Sequence, residues 1–411
     1  MNKNIKLAVA GAVLALSSQA SNAGIIIPAG EWTLDVNGNV NAFANFVKSD
    51  HASTSTVAGG LATSKDAKGE RDTQGINTGL LPAWLGFTGT TRQNDTDVSF
   101  TISMQPNVSS NGQAGDATPA TLFRQANLTF GDKSWGSVKL GKDIGIFASD
   151  AILNDMTLLG VGAGAGNSGA STTLGGIGSG YIYAAWKGQV AYTTPNFNGF
   201  QATVGLVNPN QGLAQVGEMS SITGALYQDR FGLEAKASYS FAAEAFSGKI
   251  WAGGISNKIQ TGYDLSGVAT YKEYTATGAD IGANINAGNA GLTAYYYTGE
   301  GLGTTFAFNR GYANTGGKRD SDGGYLQLTY KLPTATKLGL AYGRSNLDLA
   351  AGEVASASEV VDFNERMTVG LYHPLTKHLN LVAEWNQIQS KAHDVSKQES
   401  TTGSLGAILF F

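Results

Sequence analysis

Trp32-Thr33-Leu34-Asp35-Val36-Asn37-Gly38-Asn39-Val40-Asn41-Ala42-Phe43-Ala44-Asn45-Phe46 alternates between two chemistries. Trp32, Leu34, Val36, Val40, Ala42, Ala44 and Phe46 form an apolar set, set against Thr33, Asp35, Asn37, Asn39, Asn41 and Asn45. Gly38 and Phe43 are the interruptions. Successive side chains of an extended chain point to opposite faces, so this stretch reads as a strand with one greasy and one amide-rich side. The pattern recurs. Val98, Phe100, Ile102 and Met104 alternate with Asp97, Ser99, Thr101 and Ser103, and Leu233, Ala235, Ala237, Tyr239 and Phe241 with Glu234, Lys236, Ser238 and Ser240. Leu326, Leu328 and Tyr330, then Leu379, Leu381, Ala383 and Trp385, repeat it further along.

Composition agrees. Only 14% of the 411 residues are charged, against about 25% for a typical soluble domain, yet hydrophobic residues reach only 42%, with 56 glycines filling much of the difference. No cysteine is present, which removes disulfide frameworks, thiolate metal sites and cysteine nucleophiles. The formal charge of -4 lacks any basic stripe and argues against nucleic acid as a partner. At the N-terminus Lys3 and Lys6 precede an apolar run from Leu7 to Leu16, and Ser21-Asn22-Ala23 supplies a small-x-small cleavage signal. Residues 1–23 therefore read as a signal peptide cut after Ala23, because the run is too short to span a membrane as a helix. The remainder, 24–411, reads as one exported domain.

The periodicity predicts sixteen strands near 32–47, 78–91, 95–106, 121–131, 135–143, 186–194, 199–208, 219–228, 231–241, 275–286, 291–299, 323–332, 337–346, 364–373, 379–389 and 402–411. Many are about ten residues long, the length a tilted strand needs to cross a bilayer. Tight turns are expected near 92–94, 132–134, 195–198, 228–230, 287–290, 333–336 and 374–378. Long polar loops are expected near 48–77, 107–120, 144–185, 209–218, 242–274, 300–322, 347–363 and 390–401. A β-sandwich has no reason to put every long loop at one end, whereas a transmembrane barrel does. Lipid also forbids an unpaired sheet edge. The expectation is an all-β, sixteen-stranded antiparallel transmembrane β-barrel.

Four places resemble one family. Phe123-Arg124-Gln125-Ala126-Asn127-Leu128-Thr129-Phe130-Gly131, continuing Trp135-Gly136-Ser137-Val138-Lys139-Leu140-Gly141-Lys142, resembles the signature of Gram-negative general porins. Trp84-Leu85-Gly86-Phe87-Thr88-Gly89 resembles that family's second strand. Gln189-Val190-Ala191-Tyr192-Thr193-Thr194-Pro195-Asn196-Phe197-Asn198-Gly199-Phe200 resembles the strand that leaves its third loop. Leu405, Ala407, Leu409 and the terminal Phe411 are similar to its carboxy-terminal assembly signal.

The resemblance implies a homotrimer in the outer membrane, surrounded by its lipids, whose third loop, here 144–185, folds into the lumen as a constriction. It implies passive diffusion of small hydrophilic solutes and ions. Carried over position by position, it places a loop acid on Asp155 and a wall arginine on Arg124, with a wall base on Lys187. Three positions depart from the family's charges: Leu159 stands at the second loop acid, Trp84 at the basic position of the second strand, and Asn39 at that of the first. The expected narrowing is therefore weakly charged. Strand parity turns Trp84 and Lys187 inward. Arg124 shares its parity with the outward Leu128 and Phe130, a conflict that a bulge or a subunit contact would resolve.

Other chemistry is thin. The glycine runs 160–166 and 175–180 lack the strand–loop–helix setting of a phosphate cradle and read as close backbone packing. His51, His373, His378 and His393 assemble neither a catalytic triad nor a metal site. No cofactor is expected. Rival readings are a substrate-selective channel for neutral or aromatic molecules, an outer-membrane barrel enzyme, and an adhesin.

Overall fold

The computed structural model describes residues 24–50, 57–64, 69–108, 122–165, 172–209, 215–216, 228–261, 272–313, 316–355 and 358–411. The signal-like segment 1–23 and His51 lie outside the described residues.

Sixteen strands form the wall. They are β1 (Trp32–Ser49), β2 (Trp84–Gln93), β3 (Thr96–Gln105), β4 (Leu122–Asp132), β5 (Gly136–Ile144), β6 (Trp186–Thr193), β7 (Phe200–Val207), β8 (Gly232–Ala242), β9 (Phe246–Thr261), β10 (Lys272–Ala287), β11 (Ala290–Glu300), β12 (Asp320–Lys331), β13 (Lys337–Leu347), β14 (Val361–Pro374), β15 (Leu379–Ala392) and β16 (Lys397–Phe410). Each pairs antiparallel with its sequence neighbour, and β1 pairs with β16 from Asn39↔Phe410 to Ser49↔Ser400, which closes the barrel. Short strands Ile25–Ala29 and Asp72–Asn77 extend the sheet against β1. Among the described residues no helix is long and apolar enough to cross a membrane.

The alternation sorts the two faces as read. Val40, Phe46, Ile102, Leu128, Val204, Ile281, Leu326 and Leu405 are exposed on the outside. Their counterparts Asn39, Asn41, Asn45, Ser103 and Ser404 are buried inside. An outer surface this apolar is stable only against another apolar phase. Trp135, Tyr239, Phe246 and Tyr330 cluster on the outside toward the tight-turn end, as interfacial aromatic residues do.

One strand reading is corrected. The segment 242–274, read as a loop, contains β9, and the tight turn of that hairpin falls at 243–245 rather than at 228–230, which precede β8. The strand expected at 219–228 falls mostly outside the described residues. β9 escapes notice because Trp251, Ile255 and Ile259 point inward and are buried, while Ile250 faces out. With both faces apolar, the period-two signal vanishes. The last long loop is also shorter than expected: β15 and β16 run on to a turn at 393–396.

The largest hydrophobic cluster is inside the barrel. It unites Phe147, Ile152, Met156, Leu158 and Tyr181 of the 145–185 connection with inward residues of the wall such as Trp251, Tyr295, Tyr325 and Tyr372.

Candidate functional site: a loop fastened inside the barrel

The connection 145–185, in its described residues 145–165 and 172–185, does not project from the rim. It enters the lumen, forms a short helix α1 (Ser149–Leu153) and a 3-10 turn (Met156–Leu159), and crosses the inner faces of β8 to β15. The sequence reading had no helix here. A chain with so little regular structure leaves many backbone N–H groups without partners, and each must find an acceptor or cost stability. Three wall carboxylates supply them.

Glu234 of β8 accepts from the amides of Ile146 (2.8 Å) and Phe147 (3.0 Å) through Oε2. Its Oε1 takes the ammonium of Lys187 at 2.6 Å. Asp280 of β10 accepts from the Ala148 amide and the Tyr295 hydroxyl, both at 3.1 Å. Glu384 of β15 accepts from the amides of Val161 (3.0 Å) and Gly162 (2.9 Å), and from the Tyr372 hydroxyl at 2.7 Å. Between them, Gln327 accepts from the Met156 amide and donates to the Asn154 carbonyl, and Tyr325 donates to the Ala151 carbonyl. The bonds to the three carboxylates are charge-assisted, a kind about twice as strong as neutral ones.

Asp155 ties the loop to itself. Its Oδ1 caps the 3-10 turn by accepting from Thr157. Its Oδ2 accepts from the Gly176 amide (2.9 Å) and the Tyr181 hydroxyl (2.8 Å), with the Arg366 guanidinium 3.8 Å away. Burial and the adjoining Asp155 carboxylate hold the Tyr181 phenol far above its ordinary range. The glycines of the loop serve contact. A Cβ on Gly160 would lie 2.0 Å from Glu384 Oε1, and Gly175, at φ +57°, would strike Leu80.

Asp150, on α1, sits between Lys236 of β8, at 2.8 Å, and Lys249 of β9. Burial alone would raise its pKa, but the two ammonium groups outweigh it and hold the carboxyl below its usual value. A depressed pKa gives stability that is fully present above the ordinary carboxylate value of about 3.9. That stability disappears only as pH falls through the lower, folded value. The hold of Asp150 on the two lysines should therefore be constant from neutral pH to about pH 4, and single-channel traces should become noisier on its account only below that. Asp150→Asn at neutral pH should reproduce the noisier trace that appears below it.

The six positions singled out from the sequence fall into two groups. Trp84, Arg124 and Leu159 are half-buried. Trp84 packs on the interior cluster with its indole N–H donating to Asn37 at 3.3 Å, and Leu159 ends the 3-10 turn. Arg124 sits where the β3–β4 register shifts between Ser103 and Met104, so a bulge does occupy this strand. It lies near enough to Tyr183 to oppose the burial that raises that phenol. Asp155, Lys187 and Asn39 are buried. Asn39 donates to the Pro82 carbonyl at 2.9 Å, beneath the 78–83 segment. The sequence reading did not single out Glu234, Lys236, Lys249, Asp280 or Glu384. Their only trace was a charge on the polar face of a strand, and β9 had not been recognised.

The profile of the Gram-negative porin family matches residues 8–393. The chain is a Gram-negative porin. No curated protein matches it in sequence. Among solved structures, it is similar to the outer membrane channel DcaP of Acinetobacter baumannii, with a TM-score of 0.65 and 18% identity over 93% of this chain and 99% of that one. It is also similar to an anion-selective porin from Comamonas acidovorans, with a TM-score of 0.59 and 16% identity over 93% and 100%. A third is the trimer form of OmpT, an outer membrane protein of Vibrio cholerae, with a TM-score of 0.56 and 14% identity over 92% and 99%. These likenesses concern the fold. Family and barrel together make this porin a passive channel of the outer membrane, with the fold of a channel rather than of an enzyme.

Proposed function

We propose that this porin carries small hydrophilic solutes and ions through a narrowing formed by the 145–185 loop, works as a homotrimer, and is exported by residues 1–23 as a cleaved signal. The observation that carries the reading is how the loop is attached. Its bonds to wall side chains run to β8 through β15 and backbone bonds join it to 78–80, while Leu153, Asn154, Leu159 and Tyr183 remain half-exposed. That leaves Trp84 and Arg124 of the opposite wall to border the path. Asp155, Lys187 and Asn39 act beneath the surface, fixing the loop and the 78–83 segment that set its shape. The trimer form of the Vibrio cholerae neighbour supports the oligomer. No catalytic role is assigned.

Protein reconstituted in planar bilayers should give stepwise, ohmic conductance. Trp84→Ala should raise the unit conductance and weaken any discrimination in favour of aromatic solutes. An unchanged conductance and solute preference would remove the indole from the path. Absence of steps would reject the channel constriction altogether.

A further inference from the structure

The inner wall carries acids and bases in similar number but uses them differently. Its acids are spent on the loop: Glu234, Asp280 and Glu384 are buried, and each has at least one oxygen engaged by a loop amide. Asp143 is buried against Lys139. Two bases, Lys187 and Arg366, are sealed in as well, but the others keep their ends in the open. The side chains of Lys139, Lys236 and Lys249 are 26%, 19% and 34% exposed, although each touches a carboxylate. Lys236 and Lys249 share the single Asp150.

Two further lysines stand at the tight-turn end. Lys331 has the parity of Gln327, which reaches the loop, and not that of the outward Leu326, Leu328 and Tyr330. Lys337 is its direct cross-strand partner and lies 5.2 Å above the ring of the inward Tyr372. Among the described residues neither has a carboxylate within ion-pair distance. Of the acids that reach the inner surface, Asp97 is held by Arg92 at 2.8 Å, and Asp35 is covered by Gly24.

We infer that this porin conducts anions in preference to cations, because fastening the loop consumes the wall's carboxylates and leaves Lys139, Lys236, Lys249, Lys331 and Lys337 facing the water path. The inference rests on the channel reading above. Charges lining a low-dielectric bore are screened less than surface charges and raise the local concentration of counter-ions, so an unmatched row of ammonium groups enriches anions. The solute class that follows is small inorganic anions and short-chain carboxylates, drawn from the periplasmic mouth by Lys331 and Lys337. A fold neighbour's ion preference carries no weight here at so low an identity.

The test is the reversal potential of the full-length protein in planar bilayers across a potassium chloride gradient. The wild type should give a chloride-to-potassium permeability ratio above one. Lys331→Gln/Lys337→Gln, at positions without ion-pair partners, should lower that ratio by about half or more, while Asp150→Asn should raise it. Lys397→Gln, on the outer face at the far end of β16, should leave it where it is. These opposite signs separate electrostatics from a general disturbance of the loop. A wild-type preference for potassium, or a ratio that the double substitution does not move, would overturn the inference while leaving the channel intact. Bilayers that show no conductance at all would reject both.

Discussion

Glu234→Ala is expected to lower the stability of the folded barrel by about 3–5 kcal/mol, the cost of breaking a buried ion pair by removing one partner. The pair is sealed: the side chains of Lys187 and Glu234 are 2% and 0% exposed. Removing the carboxylate strands a buried ammonium group and deprives the Ile146 and Phe147 amides of their acceptor. A urea titration of refolded protein in detergent, followed by the gel shift between folded and unfolded forms, reads the change. Lys187→Met should cost less, because Glu234 keeps its two backbone donors. The double variant Glu234→Leu/Lys187→Met should recover part of the loss, since replacing both members of a buried pair by apolar groups is often close to neutral. A double variant worse than the sum of the two would place the stabilisation elsewhere.

Glu384→Leu carries the second large effect. It removes the acceptor shared by the Val161 and Gly162 amides and the Tyr372 hydroxyl. Each buried donor left without a partner costs about 1–3 kcal/mol. The loop's returning arm should then come away from β15 while Glu234 and Asp280 still hold its leading arm. The expected signature is a channel that inserts normally but flickers between conductance levels, together with new protease cleavage within 160–176. Glu384→Gln, which keeps an acceptor oxygen, should give a quieter trace than Glu384→Leu.

The wall was legible because one chemical contrast, lipid outside and water or polar packing inside, repeats on nearly every strand. Where that contrast fails, the reading fails with it. Trp251, Ile255 and Ile259 of β9 face loop residues rather than water, so the inner face there is as apolar as the outer one. Arg124 resisted parity arguments for a different reason: an extra residue in β4 resets the alternation, and a bulge leaves no mark in composition. The clamp was harder still. Glu234 and Glu384 each occupy an ordinary inward position of an alternating strand, where a carboxylate reads as a solvated lining group. Their partners are main-chain amides far away in the sequence, which no side-chain pattern encodes. The motif resemblance drew attention to Asp155. The acid that meets the wall lysines is Asp150, five residues earlier.

The seam between β1 and β16 also governs assembly. The Gly38 amide donates to the Phe411 carbonyl at 2.8 Å, and the Phe411 amide returns a bond to Gly38 at 3.0 Å. Every hairpin can zip from local contacts, but this last join unites opposite ends of the chain and bears the loop-closure entropy of everything between them. Until it forms, two strand edges stand open in a medium that tolerates none. Biogenesis of this porin is therefore all-or-nothing: a nascent sheet cannot be left partly inserted, and shortening the carboxyl end by a few residues should trap protein in the periplasm.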